Sequence, residues 1–173
     1  MTIRIRRARR DDAGELTRIA HAAKRYWHYP EELIDLWAED LTVAPAFIVR
    51  HPVYCAVHGR TVVGFYAVSG AGDVRELEHL WVRPRHIGAG VGRMLFAHLL
   101  ERLAAMHVRR LLVASDPNAE GFYRCMGARK VGRVPAQPRG RSLPLLEVRV
   151  PAHRRAGSAR GCDRLSSRRR PRL

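Results

Sequence analysis

Three alternating glycines, Gly88, Gly90 and Gly92, lie between a strand-like segment and a segment with helical periodicity. Glycine lets a backbone turn tightly and come close to a ligand. The free N–H groups at the start of a helix favour an anion there, and so does the helix dipole. We therefore predict that this loop binds a pyrophosphate, with Arg93 and Arg85 adding positive charge.

Two well-known phosphate-binding motifs do not fit this stretch. A P-loop needs a lysine followed by serine or threonine after its last glycine, and no such pair follows here. The dinucleotide-binding fingerprint spaces its glycines as G-x-G-x-x-G and belongs to the first strand–helix unit of a domain. Here three successive strand-like segments precede the loop, namely Val53–His58, Thr61–Ser69 and Val74–Val82. Neither motif explains the loop.

Two motifs in this chain resemble those of the GNAT acetyltransferase superfamily. The family's cofactor motif is [RQ]-x-x-G-x-[GA], and residues 87–92 match it except that Ile87 stands at the Arg or Gln position. The second motif is N-x-x-A-x-x-[FL]-Y-x-x-x-G, and residues 116–127 match it with Asp116 in place of Asn. The resemblance covers residues 2–150. It implies an enzyme that transfers the acetyl group of acetyl-CoA to a primary amine.

The resemblance also implies which residues hold the cofactor. The pyrophosphate would lie on the glycine loop, and the acetyl carbonyl would lie near a backbone N–H at the end of the segment Val74–Val82. Asn118 could supply the side-chain amide that Asp116 lacks. The acetyl-CoA site implied in this way comprises Trp81, Val82, Ile87, Gly88, Ala89, Gly90, Val91, Gly92, Arg93, Asn118 and Tyr123. No metal is expected.

Amide formation from a thioester needs a deprotonated amine, a polarised carbonyl and a proton for the leaving thiolate. Tyr123 matches the family tyrosine that lies near the CoA sulfur, and it is the predicted acid. Family members often use a glutamate of the fourth strand, here Val74–Val82, as the base. Glu78 and Glu76 fit that description and share one strand face, whereas His79 and Leu77 are expected on the opposite face. Glu78 is the preferred base, with Glu76 and His79 as alternatives, and a purely structural role for each stays open.

The acceptor has no motif of its own in this sequence. In the resembling family the end of the first helix borders the acceptor site, and here residues 26–29 are Tyr, Trp, His and Tyr. These aromatic side chains could equally pack on the core. A small-molecule or peptide amine is expected as the acceptor, and a homodimer is left open. Two alternatives are a non-catalytic acyl-CoA sensor and nonspecific nucleic-acid binding, which would weaken steeply with salt.

The elements that must position these residues follow from periodicity. Residues 2–7 alternate as a strand does, and a first helix follows. A second helix begins after Pro30 and has an apolar face of Leu33, Leu36, Trp37 and Leu41. After the glycine loop come a helix to about residue 107, the strand Arg110–Ala114, a helix over 118–126, and strands over 129–134 and 143–150. The predicted order is β-α-α-β-β-β-α-β-α-β-β.

This order predicts a mixed α/β fold. The resemblance implies a mostly antiparallel sheet that splays between the fourth and fifth strands. Residues 1–151 are predicted to form one acetyltransferase domain. Residues 152–173 contain eight arginines, one aspartate and few apolar residues, and are predicted to be a disordered basic tail.

Charge and apolar content narrow the class of protein further. The tail carries +7 of the net charge of +16, and residues 1–151 carry the remaining +9. No apolar run reaches the roughly 18 residues of a membrane span, and the N-terminus lacks the apolar region of a secretory signal, so we expect the cytoplasm and no membrane. Cys55, Cys125 and Cys162 are far apart, which argues against a zinc site or disulfide framework.

Overall fold

The computed structural model of the chain describes residues 2–152, so all of the predicted tail except Ala152 lies outside the described residues. Seven strands form one sheet, in the spatial order β1-β2-β3-β4-β5-β7-β6. They are β1 (Ile3–Arg7), β2 (Val53–His58), β3 (Thr61–Ser69), β4 (Val74–Val82), β5 (Arg110–Ala114), β6 (Arg129–Ala136) and β7 (Arg141–Arg149). Every predicted strand is present.

The helices are α1 (Ala13–Tyr26), α2 (Glu31–Leu36), α3 (Pro45–Arg50), α4 (Val91–Ala105) and α5 (Glu120–Cys125). The predicted order is confirmed with one addition, because α3 was not expected. It has six residues and a proline at its start, so it is too short to show helical periodicity. Helix α2 ends at Leu36 and is shorter than expected. The expected apolar face is therefore not continuous: the Leu36 side chain is exposed, whereas Trp37 and Leu41, which follow the helix, are buried.

The sheet is antiparallel from β1 to β4 and mixed beyond that point. Strand β4 pairs with β5 in parallel, but only Val74–Glu76 pairs with Arg110–Leu112. On its other side β5 pairs with β7 along its whole length. The splay between the fourth and fifth strands is therefore confirmed, and it opens a gap beside the second half of β4.

A β-bulge interrupts β4 at Glu78. Ala67 of β3 pairs with His79, and the next β3 residue, Val68, pairs with Leu77, so Glu78 is an extra residue. Leu77 consequently packs in the same cluster as Leu80 and Val82, whereas His79 contacts Phe65 on the opposite face. The expectation that Leu77 shares the face of His79 is wrong, because a bulge shifts the alternation of side chains along a strand.

Two apolar layers cover the two faces of the sheet. Side chains from α1, α2 and α3 pack on one face, and among them Leu16, Ile19, Ile34 and Ile48 are fully or almost fully buried. Side chains from α4 pack on the other face, where Leu95, Phe96 and Leu99 are fully buried with Tyr66 and Leu111. Over residues 2–152, no helix combines the length and the apolar character needed to cross a bilayer.

Candidate active site

A cavity of about 330 Å³ lies where β4 and β5 separate. Its walls come from the end of β4, the glycine loop, the second half of α1, and the chain from Asp116 into α5. Most of the predicted cofactor residues line it together, namely Trp81, Val82, Ile87, Gly88, Gly90, Gly92, Arg93, Asn118 and Tyr123. Two predicted residues do not line it. They are Ala89, which is exposed, and Val91, which is buried in the core.

The glycine loop owes its shape to two left-handed residues. Gly88 and Gly90 both have φ of 83°, a conformation that residues with a Cβ rarely adopt. Helix α4 begins directly after Gly90, so its first N–H groups have no partner within the helix. Arg93 in the first turn lines the same cavity, while Arg85 is exposed and does not. This end of the cavity is thus suited to an anion.

Tyr123 lies on α5 and forms part of the cavity wall. Its ring centroid is 5.2 Å from that of Phe122 and 5.8 Å from that of Phe96, and the residue is buried. Burial raises the pKa of Tyr123, and the charge of Asp116 raises it further. The phenol is therefore protonated at neutral pH and can act as a hydrogen-bond donor or an acid.

None of the three predicted base candidates on β4 lines the cavity. Glu76 and Glu78 are both exposed, and Glu78 accepts a hydrogen bond from the Ser69 hydroxyl. His79 is buried, and its Nδ1 accepts a hydrogen bond of 3.1 Å from the indole N–H of Trp81. Burial lowers the pKa of His79 to about 4, so the ring is neutral and supports a residue of the cavity wall.

The carboxylate that does line the cavity is Asp116. It forms an ion pair of 2.5 Å with Lys24 of α1, and it accepts hydrogen bonds from the Tyr29 hydroxyl at 3.0 Å and the Asn118 backbone N–H at 2.9 Å. From the sequence, Asp116 is only a departure from a motif, and Lys24 was not predicted as a site residue. The available signal was the position of Lys24, which follows Ala20 by four residues on the buried stripe of α1.

Electrostatics keep Asp116 ionised despite its burial. Burial, the largest single effect, acts to raise the pKa of Asp116. The hydrogen bond and charge of Lys24, together with the hydrogen bonds from the Asn118 backbone and the Tyr29 hydroxyl, outweigh it, and the net pKa is lower than usual. Burial also lowers the pKa of Lys24, with Asp116 acting in the opposite direction. At neutral pH a negative charge therefore sits in the cavity wall beside Tyr123.

The family model described as the acetyltransferase (GNAT) family matches residues 15–128. The chain belongs to the GNAT acetyltransferase family. The peptidyl-lysine N-acetyltransferase YjaB of Escherichia coli is 30% identical over 155 residues, which cover 86% of this chain and 97% of YjaB. Membership of this family and the similarity to YjaB show that the chain is an acetyltransferase.

Solved structures share the GNAT fold of this acetyltransferase. A GCN5-related N-acetyltransferase from Rhodopseudomonas palustris superposes with a TM-score of 0.73 and 24% identity, over 85% of this chain and 95% of that one. The PaiA N-acetyltransferase of Thermoplasma acidophilum, solved in complex with coenzyme A, gives a TM-score of 0.70 at 20% identity, over 86% of this chain and 99% of that one.

In this GNAT domain the four aromatic residues that begin with the last residue of α1 are divided between two environments. Trp27 lines the cavity and is 37% exposed, and Tyr26 packs against it with ring centroids 5.2 Å apart. His28 has a left-handed φ of 57°, and Tyr29 beyond it turns inward to Asp116. Of these four residues, Trp27 therefore lines the cavity, with Tyr26 packed against it.

Metal and thiol chemistry find no support among residues 2–152. No group of three or more His, Cys, Asp or Glu side chains there is arranged to hold a metal ion. Cys55 is buried, and burial raises its pKa to about 12, so its thiol stays protonated. Cys125 is exposed on α5 and does not line the cavity, and Cys162 lies outside the described residues.

Proposed function

We propose that the chain transfers the acetyl group of acetyl-CoA to a primary amine by direct attack of the amine on the thioester. The observation that carries this proposal is the convergence of the start of α4 and Tyr123 on one cavity. The first can hold a pyrophosphate, and the second can protonate a leaving thiolate. PaiA, which shares the fold, was solved with coenzyme A, and this supports acetyl-CoA as the donor.

The proposed reaction forms one bond and breaks another. The amine nitrogen attacks the carbonyl carbon, and the backbone N–H of Val82 stabilises the oxyanion, since the N–H of Trp81 points to β3. The C–S bond then breaks, and the thiolate takes a proton from the Tyr123 hydroxyl. Glu78 and Glu76 stay the proposed bases and would have to act through water, because both lie outside the cavity wall.

For the acceptor we propose a lysine side chain of a peptide. The name of YjaB, a peptidyl-lysine N-acetyltransferase that aligns over nearly its whole length, supports this choice. Trp27 in the cavity wall and Tyr26 packed against it are both exposed, and they offer an apolar surface for the methylene groups of such a side chain. A small-molecule amine is the alternative acceptor. The cytoplasmic location expected from the sequence stays a prediction.

The proposal is tested by following free thiol release from acetyl-CoA with a panel of acceptors. The panel contains a lysine peptide with a blocked N-terminus, the same peptide with arginine for lysine, a free amino acid and a polyamine. We expect thiol release with the lysine peptide and none with the arginine peptide. Binding of CoA without thiol release for any amine would instead support the sensor alternative.

A further inference from the structure

One buried ion pair connects α1 to the turn that leads into α5, beside the cavity. The side chains of Lys24 and Asp116 are only 10% and 12% exposed. The Lys24 ammonium also lies 4.7 Å from the ring centroid of Tyr29 and 4.4 Å from that of Trp37. Burying two charges is costly, and a buried pair is weak evidence for stability as such. Its position beside the cavity therefore suggests a role in the reaction.

Asp116 connects the turn that leads into α5 to the chain that follows α1. Its Oδ1 accepts hydrogen bonds from the Asn118 backbone N–H and from the Tyr29 hydroxyl. The side-chain amide of Asn118 donates to the same hydroxyl at 3.1 Å. Lys24 then joins the other carboxylate oxygen to α1. These bonds fix the start of α5 relative to the end of α1.

Each of the two connected segments carries a wall of the cavity. Trp27 follows Lys24 by three residues, and Tyr123 follows Asp116 by seven, in the first turn of α5. We propose that Lys24 and Asp116 are positioning residues for acetyl transfer, whose ion pair holds the Trp27 wall at a fixed distance from the Tyr123 wall. The acceptor amine and the thioester then meet in near-attack geometry. This inference rests on the proposed acetyl transfer.

A charge-free version of the pair can be made by two substitutions. Lys24→Met keeps most of the apolar stem between the Tyr29 and Trp37 rings, and Asp116→Asn keeps an oxygen that can accept the two hydrogen bonds at Oδ1. Either substitution alone leaves one buried charge without its partner, which is strongly unfavourable. The double variant leaves no buried charge without a partner.

The test compares both single variants and the double variant with the wild-type chain in kcat, KM for acetyl-CoA and melting temperature. We expect each single substitution to lower kcat by about 10- to 100-fold, because small displacements of reacting groups have effects of that size. The double variant is expected to recover most of that loss. Arg6→Met is the matched control, since it breaks the half-buried Arg6–Asp12 pair outside the cavity and should lower stability without lowering kcat.

A pH profile separates positioning from a uniform structural loss. The groups that face Asp116 are Lys24, Tyr29 and Asn118, with Tyr123 and Arg141 nearby. In Lys24→Met the buried carboxylate loses the cation that lowers its pKa, so it takes up a proton at higher pH. Once protonated it is uncharged, as Asn is in the double variant. The kcat of Lys24→Met relative to wild type should therefore rise as pH falls.

Three results would overturn the inference while leaving acetyl transfer by the wild-type chain intact. Each of them is sufficient alone. The first is an unchanged kcat in both single variants, the second is a double variant no faster than either single variant, and the third is a pH-independent ratio of kcat between Lys24→Met and wild type. Absence of acetyl transfer by the wild-type chain would instead refute the proposed function itself.

Discussion

Tyr123 is packed between two phenylalanines, so its ring and its hydroxyl can be separated by one substitution. Tyr123→Phe retains the ring contacts with Phe96 and Phe122 and removes only the proposed acid. General acid catalysis is worth about 10²- to 10⁴-fold, or about 3–5 kcal/mol of barrier, so we expect kcat to fall by that amount. Single-turnover rates are the measurement, because product release could hide the effect at steady state.

The packing control for this variant is its affinity for CoA, which should stay close to that of the wild-type chain. Acetyl transfer at the wild-type single-turnover rate would exclude Tyr123 as the acid. In that case the departing thiolate would take its proton from solvent.

The left-handed backbone of Gly90 should matter for cofactor binding. Gly90→Val puts a branched side chain at φ of 83°, and adopting the binding conformation then costs about 1–3 kcal/mol. We expect the Kd for CoA to rise by about 5- to 150-fold, measured by calorimetry.

Gly92→Ala, in the first turn of α4, is the matched control. A Cβ there would meet Phe122 at 3.6 Å and Val82 at 3.7 Å, which is ordinary contact, and its backbone is not left-handed. Its effect on CoA affinity should be smaller than that of Gly90→Val. Equal affinity of the wild type and Gly90→Val would show that the pyrophosphate does not bind at this loop.

Strand β4 buries a histidine that affects stability at low pH. Burial lowers the pKa of His79 to about 4, while in the unfolded chain it returns to about 6.5. The folded state therefore has its full stability above pH 6.5, and it loses stability as pH falls from 6.5 towards 4. At pH 4.5 the loss from this one group is about 2–3 kcal/mol.

His79→Gln isolates this contribution, because glutamine is neutral at every pH and its oxygen can still accept the Trp81 indole N–H. Urea unfolding at pH 7 and at pH 4.5 should show a smaller loss of stability in the variant than in the wild type. Burial also lowers the pKa of His86 and of His98, and their contribution to the loss is the same in both chains. An equal loss in the two would mean that His79 is not the responsible group.

Periodicity predicted the strands of this sheet well, and its failures have local causes. The bounds of β2, β3, β4 and β5 are those expected, since alternation and turn residues are properties of neighbouring positions. The Glu78 bulge was missed because it depends on pairing with β3, and α3 was missed because six residues give no periodic signal.

The site shows the same division between local and long-range information. The loop and its glycines are contiguous in sequence, and most of its predicted residues line the cavity. The pair Lys24–Asp116 joins residues 92 positions apart, and only the fold brings them together. The placement of Glu76 and Glu78 outside the cavity likewise follows from the fold rather than from their spacing.

For the whole molecule, a chain that ends at Pro151 tests the predicted domain boundary. Both core clusters and the cavity are built from residues before 152, so the melting temperature and CoA affinity should stay nearly unchanged. Any nonspecific affinity for nucleic acid should fall, because residues 152–173 carry +7 of the net charge. A large drop in melting temperature or CoA affinity would show that the domain extends beyond Pro151.

The short pairing between β4 and β5 has a consequence for amide hydrogen exchange. Within residues 2–152, β4 pairs with β5 only as far as Glu76, so N–H groups of Leu77–Val82 that face the gap have no strand partner there. Such groups have no hydrogen bond to another strand that must open first. Their hydrogens should therefore exchange for deuterium much faster than those of the N–H groups bonded to β3. An extended ligand with its own amides could pair with this free edge as an added strand. Slower deuterium uptake on that side of β4, after addition of CoA, would report how far into the gap the cofactor reaches.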